Sequence, residues 1–212
     1  MDIFTEPVGS PDTLANLGPL RAMAGTWTGR TGHDGHPVSG GSGDASYVET
    51  YEAQPIDFQT NGPQLLYGLR YHTRIVRPGD VATFHEQVGF WLWEPATGTV
   101  LLTAGIPRGE SLLATGRCDP DATTFEISAE RGSTMAGIVA NSFLDAHYTT
   151  ERFRMTVRTC PPARTWSYEE HTTLRISDRP DLFDHVDRHR LILVAAPVPN
   201  PLALADTPGG PA

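Results

Sequence analysis

Residues 184–194 read DHVDRHRLILV, and this stretch decides which way the last strand of the chain faces. In an extended strand, alternate side chains point to opposite faces. One face then carries His185, Asp187, His189, Leu191 and Leu193, and the other carries Val186, Arg188, Arg190, Ile192 and Val194. Burying two unpaired arginines is costly, so the arginine face is predicted to be the outer one. The two histidines and the aspartate are therefore predicted to point into the interior.

The same alternation of apolar and polar residues continues through most of the chain before this strand. It is clear in 124–130, 152–158 and 165–176, and strand-like segments also lie near 46–53, 64–76, 83–93, 99–106, 110–117 and 139–149. Many short strands joined by turns, each with one apolar face, are typical of a sheet that closes on itself. We therefore predict an all-β fold, an antiparallel up-and-down β-barrel of about ten strands with lipocalin-like or fatty-acid-binding-protein-like architecture. The alternative, a β-sandwich, needs longer crossover connections than these turns allow.

The rest of the sequence predicts one domain with two irregular ends. The barrel domain is predicted over 12–196, with short helical turns between Asp12 and Ala24 and a glycine-rich loop over 31–44. Residues 1–11 are predicted to be an N-terminal tail, and residues 197–212, which are rich in Pro, Gly and Ala, a C-terminal tail. A chain of 212 residues has room for one well-buried core.

The charge of the chain argues against several classes of partner. Its 25 acidic and 16 basic residues give a formal net charge of -9. Such a surface repels nucleic acid and anionic membranes, so neither is expected as a partner. The N-terminus has no export-signal pattern and the apolar stretch 191–205 is broken by prolines, which predicts a cytoplasmic protein without a spanning helix. Cys118 and Cys160 are expected to be reduced.

The inward histidines of the last strand suggest a ligand site inside the barrel. His185 and His189 are four residues apart, about 13 Å along a strand, so they cannot bind one metal ion together. One histidine can still serve as the single axial ligand of haem iron, and an apolar lumen suits a porphyrin. The alternative is a pair of partly exposed histidines at the barrel rim. Tyr67 and Tyr71 are also predicted to face inward, whereas Trp27 is expected to close the barrel bottom.

Several short motifs together resemble the nitrobindin family, a THAP4-like group of haem-binding β-barrels. They occur in order as GTWTGRTG at 25–32, YVETY at 47–51, QLLYGLR at 64–70, HEQVGF at 85–90, a stretch at 106–116 that begins IPRGE, and DHV at 184–186. The resemblance implies a barrel in which His185 binds the iron of ferric haem b from the proximal side. It also implies binding of nitric oxide and isomerisation of peroxynitrite to nitrate. The loop at 31–44 and His189 depart from the family pattern.

Together, the strand pattern and the resemblance predict a haem site in the lumen. The residues expected to contact haem are His185, as the iron ligand, with Asp187, His189, Tyr67, Tyr71, Trp27 and Leu191. Asp187 is expected to orient the site, and the pocket beyond the iron is expected to be mostly apolar. Whether the chain is an enzyme then depends on whether haem is bound.

Two alternatives use the same lumen. The first is a haem-free carrier of fatty acids or other small apolar molecules. The second is a small-molecule enzyme with His185, Asp187 and His189 as acid and base. A second copy of the chain, in a homodimer, is the one protein partner considered.

Overall fold

The wall of the protein is a ring of antiparallel strands. In the computed structural model, which describes residues 2–201, the wall strands are β1 (Gly25–Gly35), β4 (Ala45–Asn61), β5 (Gln64–Val76), β6 (Thr83–Glu94), β7 (Thr99–Ile106), β8 (Glu110–Arg117), β9 (Thr124–Glu130), β11 (Tyr148–Cys160), β12 (Thr165–Ile176) and β13 (Phe183–Ala195). Three shorter strands are β2 (Pro37–Val38), β3 (Gly41–Ser42) and β10 (Ile138–Ala140). Two helices, α1 (Thr13–Asn16) and α2 (Ser142–His147), and two 3-10 turns, Gly18–Met23 and Pro161–Ala163, complete the described elements.

The wall strands pair in chain order, and the ring closes because β1 pairs with both β4 and β13. The joint between β8 and β9 is the thinnest, with one aligned residue pair, Thr115 and Ser128. By contrast, β4 and β5 are aligned over most of their length. The predicted all-β, up-and-down barrel of ten strands is confirmed, and the closed ring excludes a sandwich.

Strand β11 shows why this sequence forms a barrel wall. Phe153, Met155 and Val157 are buried in the interior, while Arg152 and Arg154 are exposed between them. An apolar face this regular is stable only against other apolar faces, and closing the sheet supplies them on every side. The same alternation fixes the register, since a slip of one residue would bury the arginines.

The N-terminal segment closes one end of the barrel. Asp12 caps α1 by accepting a hydrogen bond from the backbone N–H of Ala15 (3.0 Å). In the 3-10 turn that follows, Leu20 and Met23 are fully buried. The indole N–H of Trp27 donates to the carbonyl of Met23 (2.8 Å), so Trp27 belongs to this closed end.

Two segments differ from the sequence prediction. The loop predicted over 31–44 is wrong in its first part, because β1 continues to Gly35 and a β2–β3 hairpin follows. The strand predicted over 139–149 is interrupted by α2. There the side chain of Asn141 accepts hydrogen bonds from the backbone N–H groups of Phe143 and Leu144, which starts a helix where apolar content alone suggested a strand.

The chain on either side of the barrel lies against the wall where it is described. The backbone N–H of Ser10 donates to the hydroxyl of Tyr67 (2.9 Å), and that of Val198 donates to Oε1 of Gln54 (2.8 Å). Most of the predicted C-terminal tail, residues 202–212, lies outside the described residues. Within 2–201, we find no helix with the length and apolar character needed to cross a membrane.

Candidate functional site

The end of the barrel opposite the N-terminal segment opens into a cavity of about 490 Å³, a size typical of small-molecule and cofactor sites. Aromatic rings form much of its wall, from Tyr47, Tyr51, Tyr71, Trp91, Trp166 and Tyr168. Five carboxyl groups also line it, from Asp34, Glu49, Glu110, Glu170 and Asp187. The lining is mostly apolar, as expected, but it also holds acids that the sequence analysis did not place in the lumen.

Strand β13 alternates between the interior and the outer surface as its sequence predicts. His185 and Asp187 line the cavity. His189 and Leu191 point to the same side but are buried within the protein and do not line the cavity. Arg188 and Arg190 are exposed on the outer surface.

The aromatic residues predicted for the site separate into two groups. Tyr71 lines the cavity, where its hydroxyl accepts a hydrogen bond from Nε2 of Gln87 (2.6 Å). Tyr67 and Trp27 are buried but do not line it. Of the residues predicted to contact haem, the structure brings three to the cavity wall, namely His185, Asp187 and Tyr71.

His185 is held between two carboxylates. Its Nε2 lies 2.8 Å from Oδ1 of Asp34 and 3.3 Å from Oδ2 of Asp187. Asp34 stands directly opposite Asp187 in the β1–β13 pair, so strand register brings it to the imidazole. The second carboxylate oxygen of Asp34 lies 3.2 Å from Nδ1 of His36. Sequence reasoning missed Asp34, because it lay in the predicted loop.

Burial and pairing shift the pKa values of these groups in different directions. Burial opposes the charge of His185, but the hydrogen bond to Asp34 and the charge of Asp187 outweigh it and raise the pKa of His185. At Asp34 burial is likewise outweighed, by the hydrogen bond and charge of His185, and the pKa of Asp34 is lowered. Burial raises the pKa of Asp187 to about 6 in spite of the charge on His185. The pairing thus favours a protonated imidazole beside an ionised Asp34.

Glu170 extends this group of carboxylates. It stands directly opposite Asp187 in the β12–β13 pair, so Glu170, Asp187 and Asp34 occupy facing positions on three neighbouring strands. Within 2–201, no hydrogen bond or ion pair reaches the Glu170 side chain. Burial, followed by the charge of Asp187, raises the pKa of Glu170 to about 8, so this carboxyl group is mostly protonated at neutral pH.

Glu49 is held in the wall by three donors. Its carboxylate accepts hydrogen bonds from Thr73 Oγ1 (2.7 Å), the Tyr168 hydroxyl (2.9 Å) and His189 Nδ1 (2.6 Å). Nε2 of His189 has no hydrogen-bond partner among the described residues and lies against Gly29. The proton is therefore assigned to Nδ1, since a buried N–H without an acceptor is the costlier state. His189 fixes Glu49 and does not reach the cavity.

The rim of the cavity comes from α2, the β7–β8 turn and the start of β6. Phe143, Leu144 and Arg108 line the cavity there. His85 of β6 also lines it. Burial, followed by the charge of Arg108, lowers the pKa of His85, so its imidazole is neutral at neutral pH.

The alternation of side chains along a strand could have predicted two of the missed carboxylates. Glu170 alternates with Tyr168 along β12, and Glu49 lies between Tyr47 and Tyr51 on one face of β4. An acid on the apolar face of a predicted barrel strand is predicted to face the lumen. The corresponding signal for Asp34 did not exist, because its strand was not predicted.

A ring of strands that is closed at one end and opens into a ligand-sized cavity at the other defines a lumenal ligand-binding barrel. A family profile described as "THAP4-like, heme-binding beta-barrel domain" matches residues 16–191, most of the chain. The chain therefore belongs to this family, and the resemblance to the nitrobindins is confirmed.

A solved structure supports the same fold. Rv2717c from M. tuberculosis is 18% identical to this chain, with a TM-score of 0.57, over 88% of this chain and 99% of that chain. No curated protein matches the sequence.

The cavity fits haem, the group in the family's description, on one condition. Its volume and aromatic walls suit a flat macrocycle, and His185 supplies an imidazole. The ligating atom, however, already contacts Asp34 and Asp187. Iron at Nε2 therefore requires that these two carboxylates give up their contacts with the ring.

Proposed function

We propose that this chain binds haem in the lumen of the barrel, with His185 as the proximal ligand of a ferric iron. The observation that carries the proposal is the position of His185. Its imidazole is 28% exposed and lines a cavity of about 490 Å³, in a member of a haem-binding barrel family. Neutral imidazole is a common axial ligand of haem iron.

The residues around His185 suit the ferric state in particular. Negative charge near a metal stabilises its more positive oxidation state, and Asp34 and Asp187 supply that charge. On the wall, Tyr51 and Tyr71 stack with ring centres 5.5 Å apart, and the indole N–H of Trp91 donates to the hydroxyl of Tyr51 (2.6 Å). These contacts hold the rings in place before any ligand arrives. Bound ferric haem would supply the chemistry of nitric oxide binding and of peroxynitrite isomerisation to nitrate, as the nitrobindin resemblance implies.

The two haem-free alternatives are less well supported by the lining of the cavity. A fatty-acid carrier must place an anionic head group among five carboxyl groups. Arg108 is the one guanidinium lining the cavity among residues 2–201, and it already donates to the carbonyl of Phe84. The acid–base enzyme loses one of its three groups, because His189 does not line the cavity.

Titration of the purified chain with hemin tests the haem proposal. We expect a Soret band that saturates at one haem per chain, and we expect His185→Ala to abolish it because the axial ligand is lost. His171→Ala is the matched control, since His171 lies on the neighbouring strand and pairs with Glu169 and Asp184 instead. It should bind haem as the wild type does.

Two results would contradict the proposal. One is a wild-type chain that gives no Soret band. The other is a His185→Ala variant with the wild-type spectrum and a wild-type circular dichroism signal.

A further inference from the structure

We infer that Asp34, His185 and Asp187 form a site for a single divalent transition-metal ion, with Glu170 as an additional oxygen donor. Binding of this ion differs chemically from haem binding. The two compete, because the ion and haem iron both need Nε2 of His185. The inference does not depend on haem binding being correct.

The three ligand atoms lie close enough together to bind one metal ion. One ligand atom from each residue lies within 4.8 Å of the other two. A metal ion bound at about 2.1 Å holds neighbouring ligand atoms about 3.0–3.4 Å apart. The contacts of His185 Nε2 with Asp34 Oδ1 (2.8 Å) and Asp187 Oδ2 (3.3 Å) are close to that spacing. A metal ion can replace the imidazole proton with small side-chain movements.

Three carboxyl groups on neighbouring strands form a row beside this position. Glu170 faces Asp187, and Asp187 faces Asp34, on the inner side of the wall. Carboxyl groups in facing positions repel one another when they are ionised, unless a cation lies beside them. Glu170 is half-buried, lines the cavity, and has no hydrogen-bond or ion-pair partner among residues 2–201. A cation beside this row would supply the missing partner.

The donor types determine which ion fits. Carboxylate oxygens favour Mg²⁺, Ca²⁺ and Mn²⁺, whereas imidazole nitrogen favours transition metals. One nitrogen with two or three oxygens is therefore a set for a divalent first-row ion such as Mn²⁺ or Zn²⁺. His185 and the two aspartates line an open cavity, so positions on the ion would stay free toward the lumen. Free positions are typical of catalytic metal sites.

Mn²⁺ is the probe of choice because it binds stray histidines more weakly than later transition ions do. The full chain, freed of metal with EDTA and then of EDTA, is titrated with MnCl₂ while the signal of free Mn²⁺ is followed by electron paramagnetic resonance. We expect one Mn²⁺ per chain. Asp34→Asn and Asp187→Asn should each weaken binding by more than about tenfold, the loss that removal of even an outer-shell partner causes.

Asp44→Asn is the matched control. Asp44 also pairs with a histidine, His33 (2.7 Å), but both side chains are exposed and neither belongs to the three-residue site. Its Mn²⁺ affinity should equal that of the wild type. In the wild-type complex, electron spin-echo spectroscopy should detect a directly bound ¹⁴N nucleus, a readout that does not depend on any variant folding.

The two proposals make different predictions for one substitution. Asp34→Asn removes a metal ligand but keeps the imidazole that haem needs, so it should weaken Mn²⁺ binding by more than about tenfold while hemin still binds at one per chain. Mn²⁺ should also slow hemin uptake by the wild type. Mn²⁺ binding without a Soret band would refute only the haem proposal. No Mn²⁺ binding, no ¹⁴N coupling, or equal Mn²⁺ affinity in Asp34→Asn, Asp187→Asn and Asp44→Asn would overturn the metal site.

Discussion

Gly29 and Gly32 leave room for two aromatic rings beside the lumen. A Cβ atom built at Gly29 would lie 2.3 Å from Nε2 of His189, and one at Gly32 would lie 2.2 Å from the ring of Tyr47. Both distances are far too short for any real contact, so only glycine fits. Two glycines of the motif at 25–32 are thus explained by the space they leave. His189, which departs from the family pattern, fits here because Gly29 has no side chain.

Gly29→Ala should therefore destabilise the protein. We expect a loss of about 1–3 kcal/mol in the free energy of unfolding, because the ring of His189 must move and weaken its bond to Glu49. Chemical denaturation measures this loss. The control is Gly105→Ala, where the nearest atom to the new Cβ lies 3.8 Å away. Equal midpoints for the two variants would contradict the explanation.

At the scale of the element, β13 was predictable and its partner β1 was not. The charges of Arg188 and Arg190 keep one face of β13 in solvent. The alternation of side chains along the strand therefore predicts that His185 and Asp187 face the lumen. Asp34 is 151 residues away from His185 in the chain, and only strand register brings them together. No local pattern contains that register. The predicted half of the site is therefore the half that lies on one strand.

Helix α2 gives a second element-scale prediction. Asn141 caps it and also donates through Nδ2 to the carbonyl of Arg108 (2.6 Å), which ties the helix to the β7–β8 turn. Asn141→Ala should cost about 1 kcal/mol of stability, as lost N-caps usually do. It should also speed hydrogen exchange in residues 142–147. Asn61→Ala, at the exposed end of β4, is the control and should leave hydrogen exchange in residues 142–147 unchanged. Equal exchange rates in 142–147 for the two variants would argue against the role given to Asn141.

At the scale of the whole molecule, the fold was predictable because every wall strand repeats the same alternation. The cluster of acids in the lumen was not predicted, because single acids on several strands come together only when the barrel closes. Three of these carboxyl groups, Glu110, Glu170 and Asp187, oppose folding when ionised, because burial raises their pKa values. The site is thus expected to reduce the stability of the metal-free protein.

Glu170→Gln should raise that stability in a pH-dependent way. The pKa of Glu170 is about 8 in the folded chain against an ordinary 4.5, so the unfolded state releases its proton first as the pH rises. The wild type therefore loses stability between about pH 4.5 and pH 8, and the variant does not suffer this loss. We expect a gain on the order of 1–3 kcal/mol above this range and none below it. Thermal unfolding with EDTA present measures it.

The same charge change on the outer wall is the control for this prediction. Glu126→Gln removes an exposed carboxylate that, among residues 2–201, accepts one long hydrogen bond, from Thr156 Oγ1 (3.4 Å). Its unfolding temperature should differ little from that of the wild type. A pH-independent gain in Glu170→Gln, or an equal gain in both variants, would refute the role given to the buried carboxyl group.

The barrel wall is weakest between β8 and β9, which share a single aligned residue pair. Because few backbone hydrogen bonds hold β8 to β9, we expect local opening of the barrel wall to begin at this joint. Such opening would give a flat macrocycle a second route into the lumen, through the wall. A disulfide across this joint, made by Thr115→Cys with Ser128→Cys, should slow the uptake of hemin. It should leave the uptake of Mn²⁺ through the open end of the barrel unchanged.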